Sequence, residues 1–244
     1  MASEGKTGGA RHVVRIGVFI PTDCQVLDAA AVDIMGSLSY EYMSMVASLV
    51  PQSFLDLAPS VDIRYIGTVP AGQPIQLTAN QGLVSTNHYS DADVAPGKLD
   101  IVMIPGPDPF KVLEKKSLEW LKKHSETPGV DILSICSGIL VCGEAGLLKG
   151  KTACGPRGMQ DMIRAKGFGE KELVGDKLRW IQDGNFWSSG GVTHGNDLVA
   201  AYCRASHHFP TPLVDVVCEM IGVGDRAQAY NKEMIAFEIP GGAA

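Results

Sequence analysis

Cys136 lies at the sharpest change of pattern in the chain, between Ser134-Ile135 and Ser137-Gly138. A buried-strand pattern, VDILSI, runs directly into a helical pattern, SGILVCGEAGLL, with only this cysteine between them. Small residues two positions before and after it are typical of a nucleophile elbow, because the sharp turn leaves no room for larger side chains. The start of a helix favours the thiolate, and the amides of Ser137 and Gly138 would face a developing negative charge. The pattern predicts a nucleophilic Cys136, with a buried structural cysteine at a tight corner as the alternative.

A second loop is expected at the same edge of the sheet, where the apolar run LDIVMI breaks at Pro105-Gly106-Pro107. In a fold with a nucleophile elbow, a loop at this edge supplies a backbone N–H to the pocket of the nucleophile. Gly106 is therefore predicted to contact substrate or an oxyanion. Taken alone, the motif is more typical of an ordinary loop.

Asp28 follows the first apolar run of the chain, in the segment TDCQVLDAAAVD. Its side chain can cap a helix, and that interpretation is as good as any other on local sequence. If the first strand is central in the sheet, however, this loop also opens toward Cys136. A partly desolvated acid at that place could transfer protons, so both roles stay open for Asp28.

The elements that would position these residues alternate between strands and helices. Apolar runs of strand length begin at Val13, Val61, Leu99 and Val130, and helical patterns cover residues 28–38, 111–124 and 137–148. Strands that are apolar on both faces and alternate with helices predict an α/β fold with an open, mostly parallel sheet and helices on both faces.

The second half of the chain stays in the same class. A helix is predicted over residues 158–167, two short strands around Asp183-Gly184, and closing helices over Asp197–Ala205 and Thr211–Ile221. We expect a disordered tail over residues 1–12, a single domain over 13–230 and a second tail over 231–244.

Composition excludes several functional classes. The chain has 244 residues, is 45% hydrophobic and carries a formal charge of −6, which disfavours a nucleic-acid or anionic-membrane partner. The polar start has no signal-peptide pattern, and no apolar run approaches the length of a membrane span. The six cysteines form no C-x-x-C pair and no zinc-finger spacing, so no metal or cofactor is predicted. We expect a cytoplasmic protein that acts on a small molecule.

Together, these segments resemble the ThiJ/PfpI superfamily, which has a flavodoxin-like, class I glutamine-amidotransferase-like fold. The resemblance covers roughly residues 13 to 222 and is carried by IGVFI…VLD, the IPG turn, the ICSG elbow, GEAGLLKGKTA and SSGGVTHGNDLVAAY. The V-L-D setting of Asp28 is similar to the isonitrile hydratase branch. That likeness implies a catalytic set of Asp28, Cys136 and Ser137, with serine in place of the usual threonine, and it implies a homodimer.

The chain departs from this resemblance at several positions. Many relatives have a histidine after the AGLL-x-G-K segment, where this chain has Cys154-Gly155-Pro156. His194 is a candidate pocket residue, although a lone histidine is more often a structural residue or a cap. Pro107 replaces a second glycine and has no N–H, so the Asp108 amide would have to serve as the oxyanion donor.

Three functions remain open at this point. The residues fit hydration of an isonitrile through a thioimidate on Cys136 better than a scheme that needs histidine. The alternatives are a glyoxalase-type or other lyase or hydratase reaction on an α-oxoaldehyde or natural product, and a non-enzymatic redox sensor using the same thiol. Far from these motifs, His207 and His208 are predicted to be surface residues.

Overall fold

The computed structural model describes residues 11–233 and contains a central sheet of seven strands. Twelve strands are found, and some of them form two smaller sheets: β1 (Val13–Ile20), β2 (Asp23–Cys24), β3 (Ser60–Gly67), β4 (Pro74–Leu77), β5 (Gln81–Val84), β6 (Asn87–His88), β7 (Ile101–Ile104), β8 (Asp131–Ser134), β9 (Thr152–Ala153), β10 (Glu172–Leu173), β11 (Trp180–Asp183) and β12 (Phe186–Ser189). The order in the central sheet is β11-β12-β8-β7-β1-β3-β6.

All neighbouring strands of this sheet are parallel except β11 and β12, which form an antiparallel hairpin. The predicted open, mostly parallel sheet is therefore confirmed. β1 lies between β7 and β3, in the interior of the sheet, and β7 pairs with β8. The carboxyl ends of these strands consequently meet at one edge, which brings the segments after β1, β7 and β8 together.

Helices cover both faces of the sheet. Their bounds are α1 (Val26–Ala29), α2 (Val32–Ser37), α3 (Tyr40–Met45), α4 (Gln52–Leu57), α5 (Lys115–Ser125), α6 (Gly138–Glu144), α7 (Gln160–Lys166), α8 (His194–Ala205) and α9 (Thr211–Ile221). Side chains of α1, α2, α8 and α9 form one apolar layer with the sheet, and those of α5, α6 and α7 form the other. Burial on both faces explains the unbroken apolar runs of the strands.

Several predicted elements have different bounds in the structure. The helix expected over residues 28–38 is two short helices, and α8 begins at His194, three residues before the expected start. The helix expected from residue 111 begins only at Lys115, because the preceding loop holds other contacts that are described below. The small sheet β2-β4-β5 and the pair β9-β10 have no counterpart in the sequence prediction.

The predicted N-terminal tail is wrong in its last two residues. The His12 carbonyl accepts a hydrogen bond from the Ser60 amide, 2.9 Å long, and the Arg11 guanidinium donates to the Ala58 carbonyl. The rest of that tail, residues 1–10, and most of the C-terminal one, residues 234–244, lie outside the described residues. Within residues 11–233, no helix is both long enough and apolar enough to cross a membrane.

Candidate active site

The turn at Cys136 joins β8 to α6 in a strained conformation. Cys136 has φ of 56°, a left-handed value that is uncommon for a residue with a side chain. The Gly138 amide closes the turn by donating to the Ile135 carbonyl at 2.9 Å. A Cβ atom on Gly138 would collide with the Ile104 carbonyl of the neighbouring strand, so glycine is required at this position. The nucleophile elbow expected from the sequence is thus present, and Cys136 is half-buried.

Asp28 lies in α1 with its side chain fully buried. Its Oδ2 accepts a hydrogen bond of 3.0 Å from the Gly106 amide, whereas its Oδ1 is buried without a partner among residues 11–233. The N-cap of α1 is Gln25, so the capping role considered for Asp28 is wrong. Asp28 instead links α1 to the loop after β7 through Oδ2, and its Oδ1 has no hydrogen-bond partner among residues 11–233.

Asp28 and Cys136 are neighbours, and each affects the proton affinity of the other. Burial raises the pKa of Asp28 to about 7, although the Gly106 amide and a hydrogen bond with Cys136 oppose this shift. Burial, together with the Asp28 charge, raises the pKa of Cys136 to about 12. Near neutral pH the cysteine is therefore a thiol, and the carboxyl group exists in both protonation states.

This result corrects the expectation that the helix N-terminus makes Cys136 a thiolate. The Ser137 amide and hydroxyl do lower the pKa of the thiol, in the predicted direction. Loss of hydration and the nearby carboxylate have the larger effect, and α6 has only seven residues. The sulfur consequently needs a base to remove its proton.

Ser137 anchors the elbow to the loop that follows β7. Its hydroxyl donates a buried hydrogen bond of 2.6 Å to the Pro107 carbonyl. Gly106 lies between Ser137 and Asp28: a Cβ atom on this glycine would be 2.5 Å from Ser137 Oγ and 2.6 Å from Asp28 Oδ2. The absence of a side chain at position 106 allows the two loops to approach each other.

Three of the four amides predicted to stabilise an oxyanion have acceptors in the protein. The Gly106 amide donates to Asp28, and the Gly138 amide donates to the Ile135 carbonyl. The Asp108 amide donates to Asp23 Oδ1 at 3.2 Å. The fourth, the Ser137 amide, acts on the Cys136 sulfur and lowers the pKa of the thiol.

The sequence analysis missed the contacts that fix the loop after β7. Asp23 accepts the Asp108 amide and also forms a salt bridge of 2.9 Å with Lys111. The Gly106 carbonyl accepts a hydrogen bond from the Gln25 amide. Asp23, in β2, is only five residues before Asp28, and this proximity was the available sequence signal.

His194 lies on the other side of the elbow and is paired with a residue that the sequence analysis did not consider. Its Nδ1 is 3.2 Å from the Tyr230 hydroxyl. Burial, together with the charges of Arg226, Arg179 and Arg157, lowers the pKa of His194 to about 4. The next residue, Gly195, packs against the Ile135 side chain, so the helix start is close to the elbow. His194 is a neutral imidazole at neutral pH.

The segment Cys154-Gly155-Pro156 is held through its backbone carbonyls. The Gly155 carbonyl accepts a hydrogen bond of 3.1 Å from Gln160 Nε2, which also binds the Pro156 carbonyl. Within the described part of the chain, no three His, Cys, Asp or Glu side chains are arranged to hold a metal ion.

The sequence profile of the DJ-1/PfpI family matches residues 37–205, which is more than half of the chain. The chain belongs to the DJ-1/PfpI family. The matched segment includes Cys136 and Ser137 of this DJ-1/PfpI protein but begins after Asp28, so the role of Asp28 rests on the geometry described above.

Known proteins similar to this DJ-1/PfpI protein agree on its fold. Isonitrile hydratase from Pseudomonas putida is 29% identical over 126 residues, which are 51% of this chain and 51% of that protein. A crystal structure of a ThiJ/PfpI family protein from Pseudomonas syringae has a TM-score of 0.65 at 18% identity, covering 94% of this chain and 85% of the other. DJ-1β from Drosophila melanogaster has a TM-score of 0.64 at 16% identity, covering 86% and 98%.

Proposed function

We propose that this DJ-1/PfpI protein hydrates an isonitrile to an N-substituted formamide, with Cys136 as the nucleophile and Asp28 as the group that moves protons. The observation that carries the proposal is the approach of the Asp28 carboxyl to the elbow: a Cβ atom on Gly106 would lie 2.6 Å from Asp28 Oδ2 and 2.8 Å from the Ser137 amide nitrogen. One Asp28 oxygen is held by the Gly106 amide, and the other has no hydrogen-bond partner among residues 11–233. The similarity to isonitrile hydratase over half of the chain supports the choice of substrate.

The reaction can be written with these groups alone. Asp28, as carboxylate, removes the proton from Cys136 while the sulfur bonds to the terminal carbon of the isonitrile. Asp28 then returns the proton to that carbon, which gives the thioimidate R–N=CH–S–Cys136. Asp28 next takes a proton from water as the water oxygen adds to the same carbon, and it passes this proton to the nitrogen, which gives R–NH–CH(OH)–S–Cys136. The C–S bond then breaks as the hydroxyl proton moves to the sulfur, and R–NH–CHO leaves.

The proton affinities fit this sequence of steps. A carboxyl group with a pKa of about 7 can act as base and as acid near neutral pH. A thiol with a pKa of about 12 is protected from unspecific oxidation until a base acts on it. This second property disfavours a redox sensor, which requires an acidic thiol.

A glyoxalase-type reaction on an α-oxoaldehyde is the competing function. It would require removal of a proton from a C–H bond, a step that isonitrile hydration lacks, and the imidazole beside the elbow, His194, is bound to Tyr230 and has a pKa of about 4. The Asp28–Cys136 pair alone suits addition of water to an electrophilic carbon better.

Turnover of a simple isonitrile tests the proposal. We expect proton NMR to show formation of the formamide, and Cys136→Ala to lower kcat/KM by at least about 10³-fold. Cys218→Ala, a buried cysteine in α9, is the matched control and should retain activity. Conversion of methylglyoxal to lactate without isonitrile hydration would overturn the proposal in favour of the competing function.

The homodimer, the cytoplasmic location and the small-molecule substrate stay part of this proposal. Met45, the last residue of α3, and Leu49, four residues later, are about three-quarters exposed, which supports a contact between protomers at this surface. Light scattering of the full chain is expected to give twice the mass of 25.9 kDa, and a monomer would contradict the dimer.

A further inference from the structure

A second concave surface lies at the opposite edge of the sheet from Cys136. It is a cavity of about 510 Å³, here called the basic cavity, lined by Arg11, His12, Asp56, Leu57, Ala58, Pro59, His207, His208 and Pro210. His12 directly precedes β1, whereas Cys136 directly follows β8, which runs in the same direction. The basic cavity is therefore separated from the candidate active site by the length of the strands.

The basic side chains are held in place by contacts with the protein. Arg11 Nη1 donates to the Ala58 carbonyl at 2.6 Å, and the guanidinium lies 3.7 Å from the centre of the Tyr40 ring. His12 Nε2 and His208 Nδ1 are 3.4 Å apart, with ring planes that differ by only 1°. The His207 ring lies 4.0 Å from that of His208, centre to centre. Three imidazoles and one guanidinium thus converge on one cavity.

His208 is also a correction to the sequence analysis. His207 is exposed as predicted, but His208 is 5% exposed, because the loop between α8 and α9 turns inward at this residue. Its Nε2 is buried without a hydrogen-bond partner among residues 11–233. Burial, together with the neighbouring His207, lowers the pKa of His208 to about 4, so the ring is neutral at pH 7.

Arg11 is the one arginine or lysine among the residues that line the basic cavity. Asp56 is the one carboxylate among the lining residues, and it accepts a hydrogen bond from Gln52. Two further carboxylates nearby are already engaged. Asp100 is paired with Arg15 at 2.6 Å, and Asp131 accepts the Tyr202 hydroxyl at 2.9 Å.

We infer that the basic cavity binds the phosphate group of a small soluble molecule, either inorganic phosphate or a phosphate monoester. The lining provides one guanidinium and three imidazoles, which are hydrogen-bond donors of the kind that a phosphate with several acceptor oxygens binds. Imidazoles donate in their neutral form too, so binding does not require that every histidine be charged. The volume leaves room for an organic group of modest size beside the phosphate.

Histidine NMR signals of the full-length protein test this inference without any assay of turnover. Glycerol 3-phosphate and inorganic phosphate are titrated at constant ionic strength, with glycerol and chloride as reference arms. We expect saturable shifts at His12, His207 and His208, and none at His88, which is in β6. Shifts that chloride reproduces equally, or a uniform small drift of all histidines, would overturn the inference.

Two substitutions localise the site. Arg11→Gln should weaken binding by at least about 10-fold, because it removes the permanent charge. Arg164→Gln, which loses the same charge in an exposed pair with Asp161, should leave binding unchanged. His207→Ala should also weaken phosphate binding. Because the His207 ring is exposed, its removal should not disturb folding, so this variant still tests the inference if Arg11→Gln does not fold. Unchanged affinity in His207→Ala and in a folded Arg11→Gln would contradict the inference, whatever the outcome of the isonitrile assay.

Discussion

Two polar groups flank the nucleophile elbow, and they differ in how fully they are paired. On one side, Asp28 is buried, keeps one oxygen without a partner and has a pKa raised to about 7. On the other side, His194 is bound to Tyr230 and has a pKa lowered to about 4. Both are partly or wholly shielded from water, so burial alone does not distinguish them. Of the two groups, only Asp28 has a pKa near neutral pH.

The His194 side has a structural task that accounts for its contacts. Arg157 and Arg179 lie over the Tyr230 ring, at 4.3 and 4.8 Å from its centre. Arg157 donates to the Lys232 carbonyl, and Arg179 donates to the Ala227 carbonyl. These contacts attach the C-terminal segment to the loops beside the elbow. The comparison therefore assigns proton transfer to Asp28 and anchoring to the His194 group.

The largest effect is expected when Asp28 loses its proton-transfer capacity. Asp28→Asn should lower kcat/KM for the isonitrile by about 10²–10⁴-fold, the range for loss of a general acid or base. Asp33→Asn is the matched control, because Asp33 is an exposed acid in the adjacent helix α2. Equal activities of the two variants would place proton transfer elsewhere.

The pH dependence of activity and of stability, compared between the unmodified protein and Asp28→Asn, shows whether the pKa of Asp28 is raised. Activity of the unmodified protein should rise with pH through about 7 as Asp28 ionises, and Asp28→Asn should lack this rise.

The raised pKa of Asp28 also means that the folded state loses stability as pH increases from about 4 to 7. Asp28→Asn should therefore raise the melting temperature at pH 8 but not at pH 4. A variant less stable at pH 8 would contradict burial of an ionisable Asp28.

A smaller effect is expected from moving the two loops apart. Gly106→Ala would place a methyl group between Ser137 Oγ and Asp28 Oδ2, so kcat should fall by about 100-fold through misplacement of the carboxyl group. Gly36→Ala in α2 is the control, since its methyl group would make an ordinary contact of 3.5 Å with Ile63. Full activity of Gly106→Ala would show that the close approach is not needed.

Ser137→Ala should have a moderate effect on both activity and stability. It leaves the buried Pro107 carbonyl without its hydroxyl donor, which costs about 1–3 kcal/mol in unfolding free energy. We expect a loss of about 10-fold in kcat, measured beside Ser125→Ala, whose hydroxyl donates to Lys122 at the exposed end of α5. If urea titration shows no destabilisation, the hydrogen bond to Pro107 does not anchor the elbow.

The smallest effect on chemistry is expected on the His194 side. Tyr230→Phe keeps the ring that the arginines contact and removes only the hydroxyl. We expect kcat to stay within about threefold of the unmodified protein, a much smaller change than the one caused by removing a general acid or base. Limited proteolysis should be faster, because the C-terminal segment loses a contact. A loss of 100-fold or more in kcat would erase the distinction between the two sides.

Most of the fold followed from the sequence because its strands are apolar on both faces. The runs from Val13, Leu99 and Val130 predicted parallel strands, and the positive φ of Cys136 follows from the small residues around it. The hairpin β4–β5 was missed because one face is exposed and its apolar positions are few.

The site could be predicted only in part, because its properties depend on contacts between distant segments. Cys136 and Asp28 were singled out by their positions after strands, but the raised pKa of the thiol depends on how deeply the loops bury it. The partner of His194 is 36 residues away in sequence, in a segment without a recognisable motif. A hydrogen bond between side chains so far apart along the chain leaves no pattern in the local sequence.

The carbon-13 NMR titration of the Asp28 carboxyl group, assigned by its absence in Asp28→Asn, tests the account most directly. We predict a midpoint near pH 7 for this signal, well above those of exposed aspartates. A midpoint near pH 4 would contradict it, because Asp28 would then be an ordinary carboxylate, unable to return a proton to the substrate at neutral pH.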